Sequence, residues 1–191
     1  AILAVPAFTR NVTAAAIAIG GMFAYITASP FVFIQLHGVS AQAYGWFFGA
    51  NAFGLIAASQ VNRALLARTS PRRVLTGACL VQALAGLGVL AAAITGWGGL
   101  WSLAAALFLY IACLGLILPN TSAAALAPFA ARAGTASALL GTIQFGLAGI
   151  VSAVVGALHA QSAIPMGATM AACGVTALLV LPQRRPPTRN Q

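Results

Sequence analysis

The sequence predicts an all-α membrane protein with six transmembrane helices arranged as an inverted three-plus-three repeat. Composition is the first reason: 61% of the 191 residues are hydrophobic, 5% are charged, and the mean hydropathy is +0.99. Soluble domains carry roughly 25% charged residues, so this composition is typical of a protein that lies in a lipid bilayer. The other two reasons are the spacing of the charged residues and two prolines within predicted helices.

The charged residues divide the chain into three long uncharged stretches, residues 11–62, 74–131 and 133–183. A membrane-spanning helix needs about 20 apolar residues, so each stretch has room for two helices and a turn. Arginine is disfavoured inside the membrane and favoured in cytoplasmic loops. We therefore expect both ends of the chain to be cytoplasmic, together with all nine charged residues, which are Arg10, Arg63, Arg68, Arg72, Arg73, Arg132, Arg184, Arg185 and Arg189.

The predicted elements form one transmembrane half-bundle over residues 1–182. Turn-forming residues separate its spans, which are placed at residues 11–36, 43–66, 74–95, 100–127, 134–158 and 163–182. A basic cytoplasmic tail at residues 183–191 follows and is expected to be disordered. The outer turns should carry an interfacial aromatic belt with two histidines, namely Tyr44, Trp46, Trp97, Trp101, His37 and His159.

Two prolines predict interrupted helices in corresponding places. Pro30 lies about 20 residues into the first span and Pro119 about 20 residues into the fourth. Because three spans separate the two segments, they would run in opposite directions, which indicates an inverted repeat. Each proline leaves a backbone carbonyl without its usual partner, and Ser29 and Asn120 stand beside them. A simple kink without further function is the alternative.

The absence of Asp and Glu excludes several function classes. Carboxylate acid–base pairs, carboxylate metal sites and Ser-His-Asp triads are impossible, so we predict a protein that is not an enzyme and has no metal or cofactor. Cys79, Cys113 and Cys173 lie in apolar runs and are expected to be buried free thiols. Short cytoplasmic loops do not form the solvated basic face that nucleic acid needs, so no nucleic-acid partner is expected.

Three stretches of the sequence resemble a known family. Residues 25–55, which contain SPF, HGVS and GW, residues 62–73, NRALLARTSPRR, and residues 114–149, which contain LPN, APF and AGTASALLG, are similar to the carboxyl-terminal six helices of the Bcr/CflA drug-resistance group of the major facilitator superfamily. The resemblance implies a bacterial inner-membrane proton antiporter that exports amphipathic antibiotics such as chloramphenicol or bicyclomycin. It also implies a twelve-helix transporter of which this chain supplies one half.

The same resemblance implies a central cavity lined by the first, second, fourth and fifth helices. Its candidate substrate-binding residues are Tyr25, Ser29, Asn51, Tyr110, Asn120 and Gln144. Asn51 and Gln144 are the preferred ligands, because an amide both donates and accepts hydrogen bonds. Phe31, Phe48 and Phe145 could form apolar wall. Interhelical hydrogen bonding is the competing interpretation for each polar residue.

The superfamily's cytoplasmic loop motif is present in a degenerate form, with asparagine where an aspartate is usual: Asn62, Arg63, Pro71, Arg72 and Arg73. Anchoring by positive charge is its favoured role. Proton coupling needs a membrane-embedded carboxylate, so the coupling site is expected in an amino-terminal half outside this chain. A six-span channel and a truncated fragment without its own transport activity are the alternatives. An intramembrane protease is excluded because His37 and His159 lie in outer turns.

Overall fold

The computed structural model describes residues 2–158 and 162–181, and the described chain is helical almost throughout. Predicted features that involve His159, Arg184, Arg185, Arg189 and the tail at 183–191 lie outside the described residues. Six α-helices are present in the described part: α1 Pro6–Pro30, α2 Ala41–Leu66, α3 Pro71–Thr95, α4 Gly99–Leu126, α5 Ala133–Ala157 and α6 Ile164–Val180. The predicted all-α fold is thereby confirmed for the described residues.

The helix ends follow from local sequence signals. The Ser40 hydroxyl accepts a hydrogen bond from the Ala43 amide at 3.2 Å and caps α2, and Ser70 caps α3 in the same way. Pro71 at the first position of α3 needs no backbone partner there. Gly96 ends α3 with φ +65°, a conformation that favours glycine. α1 begins at Pro6, five residues before the predicted start of the first span.

The two prolines behave differently. After Pro30, α1 continues as a π-helical turn, Phe31–Leu36, so the predicted interruption of the first helix is present. α4 runs on through Pro119, so the predicted interruption of the fourth helix is absent. Just beyond this proline, the Asn120 amide donates to the Leu116 carbonyl and the Thr121 hydroxyl to the Ile117 carbonyl, both at 2.7 Å. These bonds reach the carbonyls of residues 116 and 117, whereas the carbonyl that Pro119 leaves without an N–H partner is that of Gly115, four residues back.

The helices pack around a central pair formed by α1 and α4. α5 and α6 lie against α1, while α2 and α3 lie against α4, and α3 also packs closely on α6. Gly86 of α3 allows this last contact, because a Cβ there would come within 2.9 Å of the Met170 carbonyl oxygen. The core is apolar and includes buried Cys79, Cys113 and Cys173 as free thiols.

All described arginines lie at one end of the bundle. A cavity of about 330 Å³ joins residues of α1, α3, α4 and the end of α6 there, including Asn11, Arg72 and Asn120. Phe8 and Phe129 contact each other near Arg10 and Arg132, with ring centroids 5.6 Å apart. At the other end, a cavity of about 260 Å³ is lined by His37, Gly96 and Gly99, close to the tryptophans. The structure therefore separates the charge from the aromatic belt.

Three stretches of the described chain are long and apolar enough to cross a membrane: Pro6–Leu36, Pro71–Thr95 and Gly99–Ala157. The last contains both α4 and α5, joined by the 3₁₀ segment Ala127–Arg132, in which Phe129 departs from helical geometry. α6 is a shorter apolar helix. α2 falls outside the group because its polar side chains lower its hydropathy. Six membrane spans, their boundaries and the inverted repeat stay predictions.

Candidate functional site

Two interhelical hydrogen bonds join α1 to α2 and bring four polar residues together. The Asn51 amide donates to the Tyr25 hydroxyl at 2.8 Å, and both side chains are buried. The hydroxyls of Ser29 and Tyr44 lie 2.8 Å apart, close to the same tyrosine. Tyr25, Ser29 and Asn51 are predicted site residues, and Tyr44 was predicted only as part of the aromatic belt. We call these four residues the α1–α2 polar cluster.

Aromatic rings extend this cluster toward the surface. Phe48 stacks on Tyr25 with ring centroids 6.1 Å apart and is 41% exposed. Phe33 and Phe47 continue the contacts from Tyr44 to Trp101 at the aromatic end of the bundle. The cluster therefore combines buried, mutually bonded polar groups with a partly exposed aromatic ring. Phe48 was predicted as apolar wall; Phe31 is half-buried and packs against the apolar core.

Asn120 occupies a different place, at the arginine end. Its amide donates to the Asn62 carbonyl oxygen at 2.7 Å, and both side chains are buried, so the bond ties α2 to α4. Asn62 belongs to the predicted loop motif, and in that motif the Arg63 guanidinium donates to Gln60 at 3.2 Å. Asn120 also lines the 330 Å³ cavity. Its substrate-binding role stays a prediction.

Tyr110 lies in the apolar core between the central helices. Its side chain is fully buried, and its hydroxyl is against Gly21 of α1 without a hydrogen-bond partner among the described residues. The three buried cysteines lie around it. Glycine at position 21 leaves the space that the phenol occupies. The structure thus does not bring Tyr110 into the α1–α2 polar cluster.

Gln144 lies on α5, on the opposite flank of the central pair from Asn51. Its amide nitrogen is buried and has no hydrogen-bond partner in the described structure. Phe145 beside it is 60% exposed and contacts Phe23 of α1. α5 and α1 are further joined by the hydroxyls of Thr27 and Ser152, 2.6 Å apart. Asn51 and Gln144, the two preferred substrate ligands, therefore lie on opposite sides of the central pair formed by α1 and α4.

Several polar positions were not singled out from the sequence. Gln82 of α3 is completely buried, and neither end of its amide has a partner in the described residues. Thr27 and Ser152 are small hydroxyl residues that lie 125 positions apart in the sequence. No local sequence pattern therefore indicates that their side chains contact each other. A glutamine in an apolar helix is itself a signal for a specific environment, and Gln82 could have been found in that way.

Comparison with known proteins gives the family. A bicyclomycin resistance protein homolog of Haemophilus influenzae is 31% identical to the chain over 166 residues, which are 87% of this chain and 42% of that protein. An MFS-type transporter of Bacillus subtilis, YdgK, is 34% identical over 151 residues, 79% of this chain and 37% of that protein. No family model matches the chain. No solved structure matches it either.

The chain spans about two fifths of the length of these curated relatives. Their similarity extends over most of the chain, and it agrees with the apolar helices of the fold and with the resemblance seen in the sequence. Together these findings identify a multi-pass membrane protein of the transporter type. The chain belongs to the major facilitator superfamily, in the Bcr/CflA group.

Proposed function

We propose that the chain is the carboxyl-terminal half of a drug exporter that moves amphipathic antibiotics out of the cell by alternating access. The observation that carries this proposal is the α1–α2 polar cluster, where paired hydroxyl and amide groups lie beside the exposed ring of Phe48. A bound drug would exchange these internal hydrogen bonds for bonds to itself and would contact the ring of Phe48. The similarity to a bicyclomycin resistance protein homolog of Haemophilus influenzae supports bicyclomycin as one substrate to test.

The packing supports six spans and an inverted repeat. Exchanging α1 with α4, α2 with α5 and α3 with α6 leaves every main helix contact in place, because α5 packs on α1 as α2 packs on α4. Such an exchange is expected of two related three-helix units. In this arrangement α2 and α5 flank the central pair, and their substrate-facing sides meet the amino-terminal half of the transporter.

Proton coupling is assigned to the part of the transporter outside this chain. The 191 residues contain no Asp or Glu, and the described helices hold no buried carboxylate. A proton relay in a membrane needs an ionisable side chain of this kind. This chain then contributes drug contacts and the moving helices, while the amino-terminal half contributes the proton site.

The proposal is tested with the natural full-length protein in a bacterium that lacks its main efflux pumps. We expect severalfold higher resistance to bicyclomycin or chloramphenicol, and lower drug accumulation that is restored by a protonophore. An equally expressed variant with Phe48→Ala, which removes the partly exposed ring that stacks on Tyr25, is expected to lose part of this resistance. Unchanged accumulation by a well-expressed protein would contradict the proposed function.

The proposed orientation places the arginine end in the cytoplasm of a bacterium with this transporter in its inner membrane. A cysteine at Ser70 should be shielded from an impermeant thiol reagent in intact cells, and one at His37 should react. His37 is chosen as the outer position because a cysteine at Gly98, in the outer turn between α3 and α4, would be disfavoured by the φ of +68° there. The natural cysteines are buried, so little background is expected. Labelling of the Ser70 variant from outside would contradict the orientation.

A further inference from the structure

A groove separates α2 from α3 on the outer side of the bundle. Both helices pack on α4 and make little contact with each other, and the space between them measures about 450 Å³. Small side chains make this room: Ala58 on α2, Gly77 and Ala78 on α3, and Ala112 on α4. We call this space the α2–α3 groove.

The groove runs from the arginine end toward the middle of the helices. Thr69 and Arg73 lie at its mouth and Val81 at its inner end. At 1.5 Å per residue, the distance along α3 from Arg73 to Val81 is about 12 Å. One leaflet of a bilayer has a hydrocarbon layer of about 15 Å, so the groove covers most of a leaflet.

The surface around the groove is apolar. Val81 and Leu109, which line it, are 37% and 45% exposed. Apart from Thr69 and Arg73 at the mouth and the Cys113 thiol, the lining consists of hydrocarbon. A contiguous apolar surface with an apolar groove is suited to contact with lipid chains.

The mouth of the groove is positively charged. The Arg73 side chain also borders a shallow depression formed with Ser70, Arg72 and Thr76. The chain has no Asp or Glu, so no acidic side chain of its own can neutralise the Arg73 guanidinium. At headgroup depth the anionic lipids of the membrane offer a counter-charge to Arg73.

We propose that the α2–α3 groove binds an anionic phospholipid of the phosphatidylglycerol class, with one acyl chain between α2 and α3 and the phosphate against Arg73. Three features carry this assignment: the length of the groove, its hydrocarbon lining and the single cation at its mouth. A zwitterionic lipid brings its own ammonium group close to Arg73, so it binds less tightly. The site shares no residue with the α1–α2 polar cluster, and on α2 its first residue, Ala58, lies about two turns closer to the arginine end than Asn51.

Native mass spectrometry of the natural full-length protein in detergent tests the charge at the mouth. Phosphatidylglycerol and phosphatidylcholine with identical acyl chains are titrated separately. Arg73→Gln should weaken phosphatidylglycerol binding about fivefold, which corresponds to about 1 kcal/mol, and leave phosphatidylcholine binding unchanged. The matched control Arg68→Gln removes the same charge from the neighbouring turn, outside the groove, and should have less than about a twofold effect.

A second variant tests the groove itself. A Cβ at Gly77 meets open space, so Gly77→Leu fills the groove without a clash against backbone. It should lower the binding of both lipids, whereas Ala91→Leu on the same helix outside the groove should not. Equal affinity for the two lipids, or equal losses for Arg73→Gln and Arg68→Gln, would overturn the site. So would displacement of the lipid by bicyclomycin, which would make the groove a drug site.

Discussion

Replacement of Gly115 by alanine is expected to destabilise the bundle more than any other single methyl group added to α4. A Cβ at this position would overlap the Leu55 carbonyl oxygen of α2 and come within 2.9 Å of the Ser59 backbone nitrogen. Backbone atoms cannot turn aside as a side chain can. α2 and α4 must therefore move apart, which weakens the contact that also holds the Asn62–Asn120 hydrogen bond. Overpacking of this kind costs about 1 to 3 kcal/mol, and backbone contacts place it at the upper end.

The measurement is thermal unfolding of the purified full-length protein, with Gly146→Ala as the matched control. Gly146 lies in the middle of α5, and a Cβ there meets open space. Alanine is the better helix former by roughly 0.5 to 1 kcal/mol, so this variant should melt at the same temperature or higher. We expect a clear fall in melting temperature and in membrane abundance for Gly115→Ala alone. Equal melting of the two variants would show that α2 and α4 are not in close contact.

Replacement of Gln144 by leucine is expected to lower drug affinity without lowering stability. The Gln144 amide nitrogen is buried and unpartnered in the described structure, so its removal breaks no hydrogen bond of that nitrogen. Leucine is close in volume and lipid-compatible. If the amide binds the drug, the loss of one hydrogen bond costs about 0.5 to 1.5 kcal/mol, or roughly 2- to 12-fold in affinity. The melting temperature should stay unchanged or rise, because an unpaired polar group leaves the interior.

Asn51→Leu is the companion variant, with a different expected pattern. Asn51 donates to Tyr25, so leucine leaves a buried hydroxyl without its donor and should lower both drug affinity and melting temperature. Drug binding to purified variants, normalised to folded protein, separates the two effects. Unchanged affinity in both variants would leave Asn51 as a contact between helices and Gln144 outside the substrate site.

Much of the fold could be predicted from the sequence because the signals are local. A Ser40 or Ser70 cap, a turn glycine such as Gly96 and an apolar run of about 20 residues act within a few positions. The uncharged stretches between arginines therefore predict where the helices lie. The interruption of α4 was predicted wrongly: Pro119 removes only one backbone hydrogen bond, and packing against α1, α2 and α3 holds the rest of the helix.

The rotation of each helix about its axis could not be predicted in the same way. In a membrane, apolar residues face lipid as well as the protein interior, so the pattern of hydrophobic residues does not distinguish the two sides. Tyr25 and Tyr110 look alike in the sequence, yet the structure places Tyr25 in the α1–α2 polar cluster and Tyr110 in the apolar core. Asn120 likewise faces Asn62 instead of the cluster.

By itself, the sequence determined the class of protein, the helical segments and the concentration of arginine away from the aromatic belt. These follow from composition and from the free-energy cost of placing a charge or an unpaired backbone group in lipid. That cost depends on the type of residue and not on its tertiary contacts. Only the tertiary structure decided which polar groups meet, that α2 and α3 leave a groove, and that Gly115 touches the backbone of α2. These depend on how helices far apart in the chain are rotated and spaced, and side-chain packing sets both.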